Sequence, residues 1–303
     1  MAKEFYRDVN FRPKSLKMIE TLNAIIQDYE RQNLRLTLRQ LYYQCVVRNL
    51  FKNSDRSYKN LGNLVSDARL AGLMDWNVIE DRVRKPRVPL DFSDLGHLIE
   101  TASSWYRLPR WEGQENYVEL WVEKDALAGV LQPIAQRYHV TMMVNRGYSS
   151  SSAMHEAAQR FTENCVGGRY PQLLYLGDMD PSGEDMVRDI SERLKMFGVE
   201  DLTVHKIALT MEQVEEFNPP PNPAKLSDSR ASKYVEEHGY SSWEVDALPP
   251  AELTSIIEAW IENFVDQELM DKVVKQEKED KKKLMQYANV LRNEAKRQRD
   301  DDA

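Results

Sequence analysis

Gln172-Leu-Leu-Tyr-Leu-Gly-Asp-Met-Asp-Pro-Ser-Gly183 is an apolar run of strand length that breaks abruptly into a glycine-flanked acidic turn. The residues beyond it, Ser182 to Phe197, have helical spacing. The same alternation surrounds this stretch. Tyr117 to Val122 reads as a buried strand, Ala126 to Tyr138 as a helix, Val140 to Val144 as a strand and Ala153 to Glu163 as a helix. Leu202 to Ile207 then supplies a fourth strand. Strands alternating with helices through short loops predict an α/β fold built on a parallel sheet with helices on both faces.

Upstream the period is helical. Lys14 to Arg31 carries Leu16, Ile19, Leu22, Ile25 and Ile26 on one face. Thr37 is placed to cap a second helix, Leu38 to Asn49, with Leu41, Tyr42, Cys45 and Val46 inward. Ser57 is placed to cap a third, Tyr58 to Ala71, whose polar face carries Lys59 and Arg69. Trp76 to Arg82 and the basic run Arg82-Val-Arg-Lys-Pro-Arg87 read as strand and wing. Three short helices followed by a basic hairpin suggest a winged helix-turn-helix, in which Lys59, Arg69, Arg84 and Lys85 are candidate DNA contacts.

The expected organisation is a winged-helix domain over 1–90, a helical connector over 91–115 and a sheet domain with a helical C-terminal extension over 116–303. The connector contains a helix from His97 to Tyr106. In the extension, the prolines between Asn218 and Pro223 must be extended or turning. An amphipathic helix is expected from about Glu252, and Lys275 to Asp301 as a solvated helix or frayed end. Between these, Ser227-Asp-Ser-Arg230 and Trp243-Glu-Val-Asp-Ala-Leu248 match no mechanism.

Composition narrows the class. The 303 residues suffice for one large or two ordinary domains, and 42% hydrophobic with 30% charged residues is a globular composition. No apolar run approaches the roughly 18 residues of a membrane span, so no membrane partner is expected. Met1 to Phe11 is polar and lacks the apolar core of a secretory signal. Cys45 and Cys165, far apart, read as ordinary buried thiols of a reducing cytoplasm. The histidines are scattered without ligand spacing, which argues against zinc. A net charge of -8 argues against indiscriminate coating of nucleic acid. The charge is uneven: residues 1–110 come to +6 and residues 111–303 to -14, as for a DNA-gripping module joined to a carboxylate-rich one.

In an open parallel sheet, functional residues sit where strands end and loops lead into helices. The first strand ends in Val122-Glu123-Lys124-Asp125 and the third in Gly177-Asp178-Met179-Asp180, so both acidic groups project from one sheet edge. A lone Asp-x-Asp is usually a solvated turn. Glu123 with Asp178 and Asp180 is instead an oxygen-donor set suited to Mg²⁺, or Mn²⁺, which take phosphate oxygens as further ligands. Such a cation polarises a phosphodiester and stabilises its leaving oxygen.

The strand-Glu followed by strand-Asp-x-Asp-x-x-Gly resembles the Toprim domain of topoisomerases, bacterial primases and related nucleases. The strings Val122-Glu-Lys-Asp-Ala126, Asn145-Arg-Gly-Tyr148 and Gly177-Asp-Met-Asp-Pro-Ser-Gly183 resemble one branch more closely. That branch is the topoisomerase VI A subunit and the meiotic double-strand-break transesterases, which join a winged helix to a Toprim domain. The resemblance covers roughly residues 14 to 210 and implies a compact member of bacterial or phage type, without the long N-terminal extension of typical members. It implies Glu123, Asp178 and Asp180 as Mg²⁺ ligands and a loop near DNA around Gly147.

Arg39-Gln-Leu-Tyr-Tyr43 resembles the family's Arg-to-Tyr pattern, which implies Tyr43 as nucleophile and Arg39 as its phosphate-binding neighbour. An arginine four residues earlier lies one helical turn away, and its planar fork suits phosphate. A phenol with a pKa of about 10 needs such a cation to lose its proton. The resemblance further implies a homodimer on double-stranded DNA, with the tyrosine of one subunit facing the metal site of the other. It also implies a separate ATPase subunit as partner and a cytoplasmic, nucleoid-associated setting. The chain itself shows no GxxxxGK[ST] loop and should not bind ATP. Two other readings stand beside this one. In the first, a Toprim nuclease activates water and Tyr43 is structural, as in plasmid-defence nucleases of related architecture. The second is a non-catalytic DNA-binding protein of the same fold.

Overall fold

The computed structural model describes residues 3–32, 35–79, 89–145, 147–228 and 230–301, with side chains to residue 294. The chain forms two compact units. One comprises Met1–Arg84 and Tyr117–Ile261, the other Lys85–Asn116 and Glu262–Ala303.

The first unit opens with α1 (Pro13–Glu30), α2 (Leu38–Val47) and α3 (Asp55–Leu70). They share a core in which Ile19, Leu22, Ile25 and Ile26 meet Leu41, Cys45, Leu61 and Val65. Thr37 begins α2 with a capping box: it accepts from Gln40 N at 3.2 Å, and its own N–H donates to the Gln40 side chain at 2.9 Å. The third helix starts earlier than expected. Ser54, not Ser57, is the cap, accepting from Ser57 N at 3.2 Å, and Asp55 adds negative charge at the helix N-terminus. The wing is not described: Ile79 makes one parallel bridge to Leu36, and the expected basic run with Arg84 and Lys85 lies outside the described residues.

The sheet follows as β1 (Asn116–Val122), α5 (Ala128–Tyr138), β2 (Thr141–Val144), α6 (Ser151–Asn164), β3 (Tyr170–Leu176), α7 (Pro181–Met196) and β4 (Thr203–Ala208). Its strands are parallel in the order β2-β1-β3-β4, flanked by helices as expected. On one face Tyr117, Trp121, Leu173 and Tyr175 pack with Met154 and Phe161 of α6 and Ile190 and Leu194 of α7. The alternate residues Val118, Leu120 and Val122 are also buried, so both faces are covered. Glu119, fully buried on the first face, accepts from Tyr117, Trp121 and Arg160, which ties α6 to β1.

Beyond the sheet come α8 (Met211–Phe217), β5 (Asn222–Pro223), α9 (Ala231–His238), β6 (Ser241–Ser242) and α10 (Pro250–Glu262). The short β5 and β6 pair antiparallel, and a 3₁₀ turn, Val245–Ala247, packs against α2. α10 buries Leu253, Ile257 and Ile261.

The second unit is a helix pair, α4 (Leu95–Trp105) and α11 (Gln267–Asp301). The residues expected as a connector therefore pack with the C-terminal helix. Within the charged tail expected as solvated, Glu277 and Ala288 are buried, continuing a stripe that starts at Met270 of the same helix. Charge pairing allows this. Arg110 and Lys281 donate to Glu277 at 2.8 and 2.9 Å, and Leu108 N at 3.2 Å. At Gly96 a Cβ would lie 2.8 Å from the Ala288 carbonyl and 2.5 Å from Arg292 Cγ, so glycine permits the close approach.

Gly96→Ala is expected to lower stability by about 1–3 kcal/mol through overpacking, measured by urea denaturation. Burial works against ionisation of Glu277, but its hydrogen bonds with Arg110 and Lys281 and from Leu108 N hold the carboxyl at about 2. An unfolded glutamate titrates at about 4.3, so this stabilisation is complete above that value and is lost as pH falls toward 2. Wild type should therefore lose more stability than Glu277→Gln between pH 6 and pH 3, as urea midpoints would show.

Candidate active site

The parallel register brings the ends of β1 and β3 side by side, with Glu123 N donating to Leu176 O at 2.9 Å. Glu123 thus lies beside the turn that follows β3. Its Oε2 accepts from Asp178 N at 3.2 Å and from the Tyr175 hydroxyl at 3.4 Å. The turn is tight because Gly183 sits directly on the Asp178 carbonyl, where any Cβ would clash. Asp180 caps α7, accepting from Gly183 N at 2.7 Å and Ser182 Oγ at 2.8 Å. The three predicted carboxylates therefore share one edge.

Two further carboxylates join them from the segment after β6. Trp243 and Met179 exchange both backbone hydrogen bonds, at 2.8 and 2.9 Å, which lays this segment against the acidic turn. Val245 N then donates to Asp178 Oδ1 at 3.0 Å. Glu244 and Asp246 consequently face the same place. Lys124 Nζ lies 2.7 Å from Asp178 Oδ2, 2.8 Å from Glu244 Oε2 and 3.5 Å from Asp246 Oδ1. Arg39, from α2, pairs with Glu244 and places Nε 2.8 Å from Asp246 Oδ2. Asp246 is 1% exposed and its oxygens make no aligned hydrogen bond, so charge alone compensates its burial.

Tyr43 lies beside this network. The Arg39 guanidinium stands 5.7 Å from the centre of its ring. Tyr43, Arg39, Asp178, Asp180 and Glu244 line one cavity of about 270 Å³. Arg39 also reaches an adjoining recess lined by Glu123, Lys124 and Gly147. Gly147 has φ +89°, a conformation that favours glycine. Tyr42 serves packing, with its hydroxyl accepting from Ser54 N at 2.7 Å. Arg69 donates to the Trp76 and Ile79 carbonyls at 3.0 and 2.8 Å, holding the chain after α3. Lys59 is exposed on α3 and is not among the residues lining these recesses.

Burial raises the Glu123 carboxyl above its ordinary range, and neighbouring Asp178 pushes it further. Burial likewise raises Asp178 and Asp246 against the pull of Lys124. For Glu244 burial is outweighed by Lys124 and Arg39, which hold it down at about 2. Lys124 stays charged, since Asp246, Asp178 and Glu244 overcome its own burial. The Tyr43 phenol is pushed well above its ordinary value by burial first and then by Glu244 and Asp246.

Among the described residues no group of three or more His, Cys, Asp and Glu side chains is arranged to hold a metal ion, and Lys124 supplies the cation that Asp178 meets. The donor chemistry nevertheless fits a divalent ion. Glu123, Asp178 and Asp180 offer oxygen ligands only, and crowded buried carboxylates gain from further positive charge. Lys124, Glu244 and Asp246 were not singled out in the sequence, although Lys124 adjoins Glu123 and Glu244-Val-Asp246 repeats the acid-x-acid spacing of the turn. Comparison with protein-family models, with curated proteins and with solved structures finds no match.

Removing Arg39 alone would leave Asp246 buried and undercompensated. Arg39→Ala is therefore expected to cost about 2–3 kcal/mol of stability. In a double-mutant cycle with Asp246→Ala the two should couple by about 1–3 kcal/mol, measured by urea unfolding.

Proposed function

We propose that this chain is a DNA strand-cleaving transesterase, of the kind that joins a tyrosine-bearing helical domain to a Toprim-like sheet. One observation carries the reading: the Arg39–Tyr43 turn of α2 and the Asp178/Asp180 edge of the sheet line the same cavity. The Tyr43 oxygen attacks a backbone phosphorus, and the bond from phosphorus to one sugar oxygen breaks. The phenol proton passes to solvent, the departing sugar oxygen takes one up, and a phosphotyrosyl link remains. Splitting cleavage in this way keeps each step reversible. Arg39 holds the phosphate with the donors that Glu244 and Asp246 leave free, and Glu123, Asp178 and Asp180 would hold Mg²⁺ or Mn²⁺. When bound, that ion neutralises charge on the phosphate and on the leaving oxygen.

The substrate in this reading is double-stranded DNA. A homodimer supplies two sites for a staggered break, and a separate ATPase subunit governs resealing. No helix among the described residues is long and apolar enough to cross a membrane. Lys59, Arg69 and Gly147, with Arg84 and Lys85 of the basic run beyond Ile79, are the proposed DNA contacts. A second reading also has support, because Tyr43 is only 3% exposed and its phenol is held protonated. In that reading the carboxylate edge directs water and Tyr43 is packing.

Supercoiled plasmid incubated with Mg²⁺ or Mn²⁺, quenched with detergent and run with and without protease, separates the two. Wild type is expected to retain DNA in a protease-sensitive complex that falls to background in Tyr43→Phe and in Asp178→Asn. Cleavage with free ends that survives Tyr43→Phe would establish the hydrolytic reading instead.

A further inference from the structure

We propose that Asn145, at the end of β2, is a further binding residue for the divalent cation, adding a neutral amide oxygen beside the carboxylate of Glu123. This rests on the reading that Glu123, Asp178 and Asp180 hold such an ion, and it applies whether Tyr43 or water attacks the phosphate. The sequence resemblance gives the following loop a glycine near DNA and gives the asparagine side chain no part.

Asn145 is 8% exposed, and its Nδ2 and Oδ1 are both buried with no hydrogen-bond partner among the described residues. A buried amide lacking both kinds of bond is costly, which points to a partner that is not part of the chain. The backbone at this position is fully engaged. Asn145 N donates to Val122 O at 2.9 Å and so extends the parallel ladder in which Trp121 faces Met143 and Val122 faces Val144. One step further along that register, Asn145 falls beside Glu123.

Strand alternation puts the two side chains on one face of the sheet. Met143, two residues before Asn145, packs on the core under α6 and α7, as does Trp121, two residues before Glu123. Glu123 accepts from the Tyr175 hydroxyl on that same face. Beyond Asn145 the Ser149 hydroxyl is also buried without a partner among the described residues, while Ser149 O accepts from Arg193 of α7 at 2.7 Å. A recess of about 330 Å³, lined by Glu123, Lys124 and Gly147, opens at these strand ends. An asparagine amide suits an ion's surroundings with both of its polar atoms. The oxygen serves as a ligand or accepts from a bound water, and the nitrogen donates to a carboxylate or phosphate oxygen that the ion also holds.

Binding of Mn²⁺ alone to the full chain, followed by electron paramagnetic resonance of the free aqua ion, tests this alongside urea unfolding without metal. Wild type is expected to bind, and Asp178→Asn to bind far more weakly. Asn145→Leu should weaken Mn²⁺ binding about 10- to 100-fold. Without metal the same variant should unfold at a urea concentration no lower than wild type, because it removes an unpartnered buried amide. Asn145→Asp, which puts back an oxygen ligand, should bind Mn²⁺ at least as tightly as wild type. Wild-type affinity in Asn145→Leu would overturn the proposal and leave the carboxylate reading intact. A lowered urea midpoint in Asn145→Leu would also overturn it, since the amide would then be a structural group with its bonds satisfied. No binding by wild type, or binding that survives Asp178→Asn, would overturn both.

Discussion

The site depends on one electrostatic constraint: carboxylates crowded at a sheet edge must meet positive charge or give up their own. Glu123, Asp178 and Asp180 arrive there because β1 and β3 are adjacent and parallel. Glu244 and Asp246 arrive because Trp243 pairs with Met179. Lys124 and Arg39 are the cations that make this tolerable, and each is held by more than one acid. Breaking such a pair costs more than forming it returns, since the orphaned charge stays buried. The network therefore acts less as a source of stability than as a specification of where α2 must lie.

That specification has a chemical consequence. The same pairing that anchors α2 brings Tyr43 to the wall of the cavity, and the surrounding acids and burial keep its phenol protonated. A phenol held neutral in this way ionises only when added positive charge changes its surroundings. The carboxylate edge, by its oxygen-only chemistry, is suited to bringing in such charge. In the proposed reading, restraint of the tyrosine and affinity for a divalent cation have one origin.

The second unit obeys the same rule in a simpler setting. Glu277 lies on the packed stripe of α11 and is tolerated there because Arg110, Lys281 and the Leu108 N–H surround it. Gly96 provides the missing volume that lets the two helices close. A tail whose composition looks solvated can bury a stripe when its charges find partners on that stripe.

The α/β alternation, the first three helices and the acidic ends of β1 and β3 were legible in the sequence, because period and strand-end position are local properties. The parallel sheet follows from them, since short loops between strand and helix leave little other choice. Local reading was less exact at boundaries, where Ser54 rather than Ser57 won the cap at α3 by reaching the right backbone N–H. What sequence alone could not supply was the meeting of Glu244 and Asp246 with Arg39 and Lys124. These residues are separated by more than a hundred positions, and nothing in their local pattern marks them as partners. Only the folded chain decided that encounter, because a buried charge chooses its counter-charge by proximity in space.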